Sequence, residues 1–202
     1  MLAFDIECTG LNMYSDRITV ASVYDPDHDP PIKHTYNFMH GDVDNNIRDF
    51  LQTLDDAEVL CAFNGVRFDL PFIIQRFHVP PERYTPWYLK LFDYFEVAKL
   101  VFNSSCSLNR LLESNGEEVK TSSGLQAVKW AEEGEWEKLE DYCMMDTVLT
   151  HKISQRGGVY IPLTRKKHVV CTLSGRGGVP GMPSFRAATS AETMAAIGQF
   201  SS

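Results

Sequence analysis

The 202-residue chain reads as an α/β domain, a mixed β-sheet flanked by α-helices, and three features of its order predict this. The first 38 residues alternate β-rich runs with turn residues, giving a meander of three strands. A helix and one more buried strand follow. From about residue 69 to residue 154 the pattern is mainly helical. A sheet placed this way buries its faces under those helices, and ligands in open sheets of this kind gather at strand ends.

Residues 2–7, LAFDIE, form a short apolar run broken by two acids. RITVASVY (17–24) and IKHTYNF (32–38) are the second and third strands, separated by the turn-forming DPDHDPP. VDNNIRDFLQTL (43–54) places Val43, Ile47, Phe50, Leu51 and Leu54 on one helical face. EVLCAF (58–63) reads as a buried strand. The polar break NGVRFD leads into a helix over residues 69–78, where Pro71 is tolerated because it falls in the first turn. VPPERYTP (79–86) is read as the close of that helix. WYLKLFDYFEVAKLVF (87–102) is either one helix or a strand passing into a helix near Asp93, and the second is favoured. SLNRLLESNG is a short helix stopped by Gly116; SSGLQAVKWAEE is another with a serine cap. Residues 135–154 form the last clear helix. Beyond it glycine and proline recur, with HVVCTL (168–173) as an edge strand and a short helix near Ala191–Gly198. Residues 1–156 therefore read as one domain, and 157–202 as a basic, Gly/Pro-containing extension.

Composition narrows the class. The chain is 44% hydrophobic and 23% charged, as a globular protein is. No apolar run reaches the length of a membrane span, and the opening MLAFDIECTG lacks the basic segment of a signal peptide. Five cysteines without a C-x-x-C pair read as reduced thiols of an intracellular protein rather than a disulfide framework or zinc site. The six histidines show no metal-ligand spacing and read as surface or satisfied core residues. Phe63, Phe68, Phe72 and Phe77 fall at core spacing. The net charge of −8 is uneven: residues 1–155 carry −13 and residues 156–202 carry +5. Such an acidic body repels a polyanion unless cations or a basic segment intervene.

Three acidic motifs carry the chemistry. Asp5 and Glu7 lie two apart on a strand, so both carboxylates leave the same face and can converge on hard cations that prefer oxygen ligands. Asp-x-Glu also arises by chance roughly once per two chains of this length at ordinary residue usage. What sets this pair apart is its apolar setting, where burial without a counter-charge is costly. Asn64 and Asp69 sit at a strand-to-helix junction, where Asp69 serves equally well as a helix N-cap. Tyr142 and Asp146 share a helix face at i, i+4; a core tyrosine beside a surface acid explains that pair by itself.

Together, D-x-E on the first strand, N-x-x-x-F-D at the junction and Y-x-x-x-D on a late helix resemble the DnaQ-like 3′–5′ exonucleases of the ribonuclease-H-like fold, the four-acid group in its tyrosine form. FDIECTGL is similar to the first motif of that family, and NGVRFD to the second as found in proofreading domains of family B polymerases. The resemblance covers residues 1–155. It implies that Asp5, Glu7, Asp69 and Asp146 ligate two divalent cations, Mg²⁺ or Mn²⁺. It further implies that Tyr142 positions or helps activate the attacking water, that Leu11 wedges beside the terminal base, and that Asn64 contributes hydrogen bonds to the substrate or around the metal site. Thr9 is a further expected substrate contact, and Phe68, next to Asp69, can stack on a base. The expected activity is release of nucleoside 5′-monophosphates from a free 3′ end, with single-stranded DNA as first choice. RNA is the alternative, as is a proofreading or scaffolding subunit working with a polymerase. Cys8 departs from the family, many members of which have threonine or serine there; the thiol reads as packing, although its oxidation would impair the site. The segment after residue 155 has no counterpart in the family; its Arg165-Lys166-Lys167 cluster is either a phosphate-attracting patch or a solvated surface.

Overall fold

The computed structural model describes residues 1–101, 106–117, 119, 124–156, 159–162, 168–173 and 183–187. Strands β1 (Leu2–Cys8), β2 (Ile18–Asp25) and β3 (Ile32–Asn37) pair antiparallel in chain order. Helix α1 (Val43–Asp56) then carries the chain to the other side of β1, where β4 (Leu60–Ala62) and β5 (Leu91–Asp93) add in parallel. The sheet order is β3-β2-β1-β4-β5, the mixed sheet that the sequence predicts. Strands β1, β4 and β5 thus end at one edge, where Glu7, the turn at Asn64 and Asp93 come together.

Both faces are covered. On one, Phe4 and Ile6 of β1 pack with Phe50 and Leu54 of α1, and with Leu70, Phe72 and Ile73 of α2 (Asp69–Arg76). On the other, Val20 packs with Ala127 of α6 (Gly124–Glu133), and with Leu139, Tyr142 and Cys143 of α7 (Trp136–Ser154). Helix α1 starts where the Asp42 side chain accepts a hydrogen bond from Asn45 N–H, an N-cap. Helix α5 (Leu108–Ser114) is capped in the same way by Ser107, and Gly116 with φ +69° ends it. The serine cap expected before α6 lies outside the described residues.

Two expectations are corrected. VPPERYTP does not merely close α2: residues Pro81–Lys90 form a separate helix, α3, with Pro81 in its first turn. Trp87 anchors it, fully buried and donating from Nε1 to Asp55 at 2.7 Å, and Arg83 Nε donates to the same carboxylate at 2.8 Å. These contacts outweigh the disruption from Pro86 inside the helix. Residues 87–90 are therefore helical. The strand predicted to give way near Asp93 is only β5, and it is followed by α4 (Tyr94–Glu96) and a π-helical turn (Val97–Val101). The second correction concerns HVVCTL. It is β7 (His168–Leu173), the middle strand of an antiparallel sheet between β6 (Val159–Pro162) and β8 (Pro183–Ala187), not an edge. Its neighbours were hidden because both are short and contain proline, a weak strand signal.

The chain divides into two compact units, residues 1–93 with 121–151 and residues 94–120 with 152–202. In the second, α5 lies against β6, and Arg156 pairs with Glu117. The helix expected near Ala191–Gly198 and the Arg165-Lys166-Lys167 cluster lie outside the described residues. Among the described residues no helix is long and apolar enough to cross a membrane.

Candidate metal centre

Strand register determines where the first two acids point. Asp5 stands opposite Ser22 and Glu7 opposite Val20, and directly opposed residues share a face. Val20 belongs to the core beneath α6 and α7, while Ser22 Oγ lies 3.2 Å from Cys143 Sγ and in a short hydrogen bond with Thr147. Asp5 and Glu7 therefore face α7. A register shift between Glu7 and Cys8 is the kind of bulge that re-aims a side chain at a strand end. Asp146 comes from α7, one turn after Tyr142, and carboxylate oxygens of Asp5, Glu7 and Asp146 lie within 4.8 Å of one another.

Asp69 approaches by another route. It does not cap α2, whose N-cap is Phe68 without a side-chain bond; instead its Oδ1 accepts a hydrogen bond from Ile6 N–H at 3.1 Å. The fourth acid is thus bound to the residue between Asp5 and Glu7 and is buried. Burial, then the charge of Asp93, push its carboxyl up to about 7, against the hydrogen bond from Ile6, and Asp146 adds to the rise.

The same negative field reaches two thiols. Burial, then Asp69, Glu7 and Asp5, push the Cys8 thiol up. Burial, then Asp5 and Glu7, do the same to Cys143. Cys143 stays a protonated donor, its Sγ 3.6 Å from Asp5 Oδ2. The donor set is hard oxygen with no thiolate, which suits Mg²⁺ or Mn²⁺ rather than a thiophilic ion. Three converging carboxylates whose charge pushes up Cys8, Cys143 and Asp69 fit a site completed by cations.

The remaining expected positions differ in their local settings. Tyr142 is 6% exposed, within the α6–α7 core, its ring edge-on to Trp130 at 5.9 Å between centroids. Leu11 is 85% exposed. It lies on a loop closed by Thr9, whose N–H donates to Arg17 O and whose Oγ1 accepts from Arg17 N–H. Thr9 is thus a loop anchor by geometry. Phe68 is half-buried against Phe72. Asn64 holds a left-handed backbone, φ +68°.

Sequence reading missed two features here. Asp93 Oδ1 and Oδ2 accept from the N–H groups of Asn64 and Val66 at 2.9 and 3.0 Å; only its position at a strand end hinted at this. His151, taken as an ordinary histidine, groups with Asp25 and Asp27 under the edge of Tyr24, a pairing across 124 positions or more that no local spacing reveals.

Comparison with known proteins gives the context. In fold the chain is similar to the family B DNA polymerase of the hyperthermophilic archaeon Pyrobaculum calidifontis, with a TM-score of 0.54 at 16% identity. That match covers 75% of this chain but only 24% of the polymerase. It is also similar to a protein described as the apo form of a nuclease, with a TM-score of 0.51 at 21% identity, covering 75% of this chain and 68% of that one. A search of curated protein sequences finds no match. The family model RNase_H_2, of the RNase H superfamily, matches residues 2–156. Its span takes in the whole five-stranded sheet and all four acids, and the chain therefore belongs to the RNase_H_2 family of the RNase H superfamily.

Proposed function

We propose that the chain is a 3′–5′ exonuclease that hydrolyses single-stranded DNA with two divalent cations and releases nucleoside 5′-monophosphates. The observation that carries this reading is the convergence of Asp5, Glu7 and Asp146 within 4.8 Å. Asp69 lies beside them on the Ile6 backbone. These four residues would hold Mg²⁺ or Mn²⁺, which supplies Lewis-acid charge at the scissile phosphate and lowers the pKa of a nearby water.

The chain's own groups do the rest. Tyr142, one turn before Asp146, orients the attacking water. Leu11 projects beside the terminal base, and Asn64, Thr9 and Phe68 line the approach of the strand. DNA is preferred over RNA on the similarity of NGVRFD to polymerase proofreading domains, with a replication or repair polymerase as the partner class. End-labelled DNA and RNA oligonucleotides of matched sequence, incubated with Mg²⁺, with Mn²⁺ and with chelator, test the reading. It predicts stepwise shortening of DNA from the 3′ end only when metal is present. Metal-independent cleavage, shortening from the 5′ end or preference for RNA would each overturn part of it.

A further inference from the structure

We propose that Asp93 is a positioning residue for the metal centre, fixing the turn that delivers Asp69 to the β1 backbone. The inference rests on the reading of Asp69 as a cation ligand. Asp93 ends β5, paired in register with Ala62, the last residue of β4, and is 4% exposed. Just beyond Ala62 the chain leaves the sheet. Its next N–H groups at the bend, those of Asn64 and Val66, donate to the two oxygens of Asp93 at 2.9 and 3.0 Å. Backbone donors at a partly buried bend need acceptors, and here one carboxylate serves both.

The turn they hold is demanding. Asn64 has φ +68°, a region that asparagine tolerates better than most residues. At Gly65 a Cβ would come within 2.6 Å of the Ala62 Cβ, so no larger residue fits without displacing β4. The turn winds directly into α2: Asn64 O accepts from the N–H of Arg67 and of Phe68, and Gly65 O from that of Leu70. Asp69 is the first residue of that helix and reaches Ile6. A continuous series of hydrogen bonds thus runs from Asp93 through the turn to Asp69 and on to the strand that carries Asp5 and Glu7. Asp93 acts here through the backbone of the turn, and moving the turn moves Asp69 against β1.

The test uses the full chain with Asp93→Asn, Asp93→Glu and, as a control for general destabilisation, Asp55→Asn. Asp55 ties α3 through Arg83 and Trp87 and belongs to no part of the site. Mn²⁺ binding by calorimetry and the Mn²⁺ dependence of oligonucleotide hydrolysis are measured for each. Asp93→Asn, which turns an acceptor into a donor facing an N–H, should weaken Mn²⁺ binding about 10- to 100-fold. The metal concentration for half-maximal rate should rise by the same factor, with KM for the oligonucleotide unchanged at saturating metal. Asp93→Glu keeps both acceptors and should recover part of the loss; if Asp93→Asn does not fold, an intermediate weakening in Asp93→Glu supports the inference instead. Wild-type Mn²⁺ binding in the folded Asp93 variant would overturn it, as would an equal loss in Asp55→Asn. If the wild-type chain binds no Mn²⁺, the metal-centre reading fails and takes this inference with it. That outcome is distinct because the wild type is measured in the same series.

Discussion

Asp69 Oδ1 accepts a hydrogen bond from the backbone N–H of Ile6 at 3.1 Å, which binds the start of α2 to the strand residue between Asp5 and Glu7. That single bond places the second acidic motif next to the first without any contact between their carboxylates being needed. It also brings a buried acid into a field set by Asp93 and Asp146, which, together with burial, moves its carboxyl from 3.8 to about 7. Backbone N–H donation from Ile6 and from Asp69 itself does not compensate for that environment; a cation would.

Stability of the metal-free chain should therefore depend on pH through Asp69. Its folded pKa is raised above the unfolded value of 3.8, so between about pH 4 and 7 the folded state holds a proton that the unfolded state gives up. The Asp69 contribution is unpenalised below that window, and stability falls as pH rises through it. Relative to wild type, Asp69→Asn should be near neutral at pH 4 and stabilising above pH 7, with the gap narrowed by saturating Mg²⁺. Urea denaturation of both proteins across this range checks it. A gap independent of pH would show that the carboxyl is not perturbed.

The converging acids predict opposite effects on activity and stability. Asp5→Ala and Asp146→Ala should each lower hydrolysis by orders of magnitude, and the double variant should lose little more, because groups that act as a unit are non-additive. Each should also raise the melting temperature of the metal-free chain, since it removes one of three mutually repelling carboxylates. Thermal melts with and without Mg²⁺ would show the gain only in the absence of metal. Robust activity of Asp5→Ala in chelator would end the metal hypothesis.

Tyr142 separates packing from chemistry cleanly. Its ring is buried with Val20, Leu139 and Cys143, and Tyr142→Phe preserves that ring. If the hydroxyl orients the water, kcat should fall on the order of 100-fold, the scale of a positioned proton-handling group, with KM nearly unchanged. Steady-state kinetics at fixed Mn²⁺ decides this. An unchanged kcat would leave Tyr142 a core residue.

How much of this was legible in the sequence follows from the range of each interaction. β1 announced itself because Asp5 and Glu7 interrupt an apolar run where unpaired charge is costly to bury, and alternation alone puts them on one face. Helix periodicity put Tyr142 and Asp146 on one face but by itself allowed a surface acid there; the structure buries Asp146 instead, and only the three motifs together singled it out. The bond from Ile6 to Asp69 and the cradle of Asp93 span 63 and 29 or fewer positions, and no local pattern encodes which backbone N–H a distant carboxylate will meet. Helix α3 was lost for a related reason: its prolines read as punctuation, whereas Trp87 and Arg83, gripping Asp55 on α1, set the local structure.

Leu11 bears on polarity and on the state of the terminus. At 85% exposed it is an apolar side chain in water, held out on a loop tied by Thr9 to Arg17 and by Asn12 N–H to Asp16 at 2.7 Å. Leu11→Ala should leave hydrolysis of single strands close to wild type and slow removal of a paired terminal nucleotide several-fold, because a wedge matters only where a base must be separated. Labelled hairpins with paired and mismatched 3′ ends measure it. Equal slowing on both substrates would assign Leu11 to general binding.

The basic extension calls for a different experiment from simple truncation. Residues 156–202 carry a net charge of +5 and could attract the polyanion that the acidic body, at −13 over residues 1–155, repels. Cutting the chain near residue 156 would also remove the sheet β6-β7-β8, one strand of which lies against α5, so weaker binding could reflect misfolding. Replacing Arg165, Lys166 and Lys167 together by alanine changes charge while leaving the three strands' own residues intact. If the cluster meets phosphates, a catalytically inactive Asp5→Ala background carrying the triple change should bind long single strands more weakly. Its log–log salt slope should become shallower by about 0.7 for each phosphate no longer neutralised. Cleavage of very short oligonucleotides by the otherwise wild-type chain should barely change, since they carry few phosphates for the cluster to attract. Binding isotherms across a salt series give the slopes directly. Equal slopes with and without the three charges would assign the extension to folding or to a protein partner, and leave cations alone to offset the repulsion at the site.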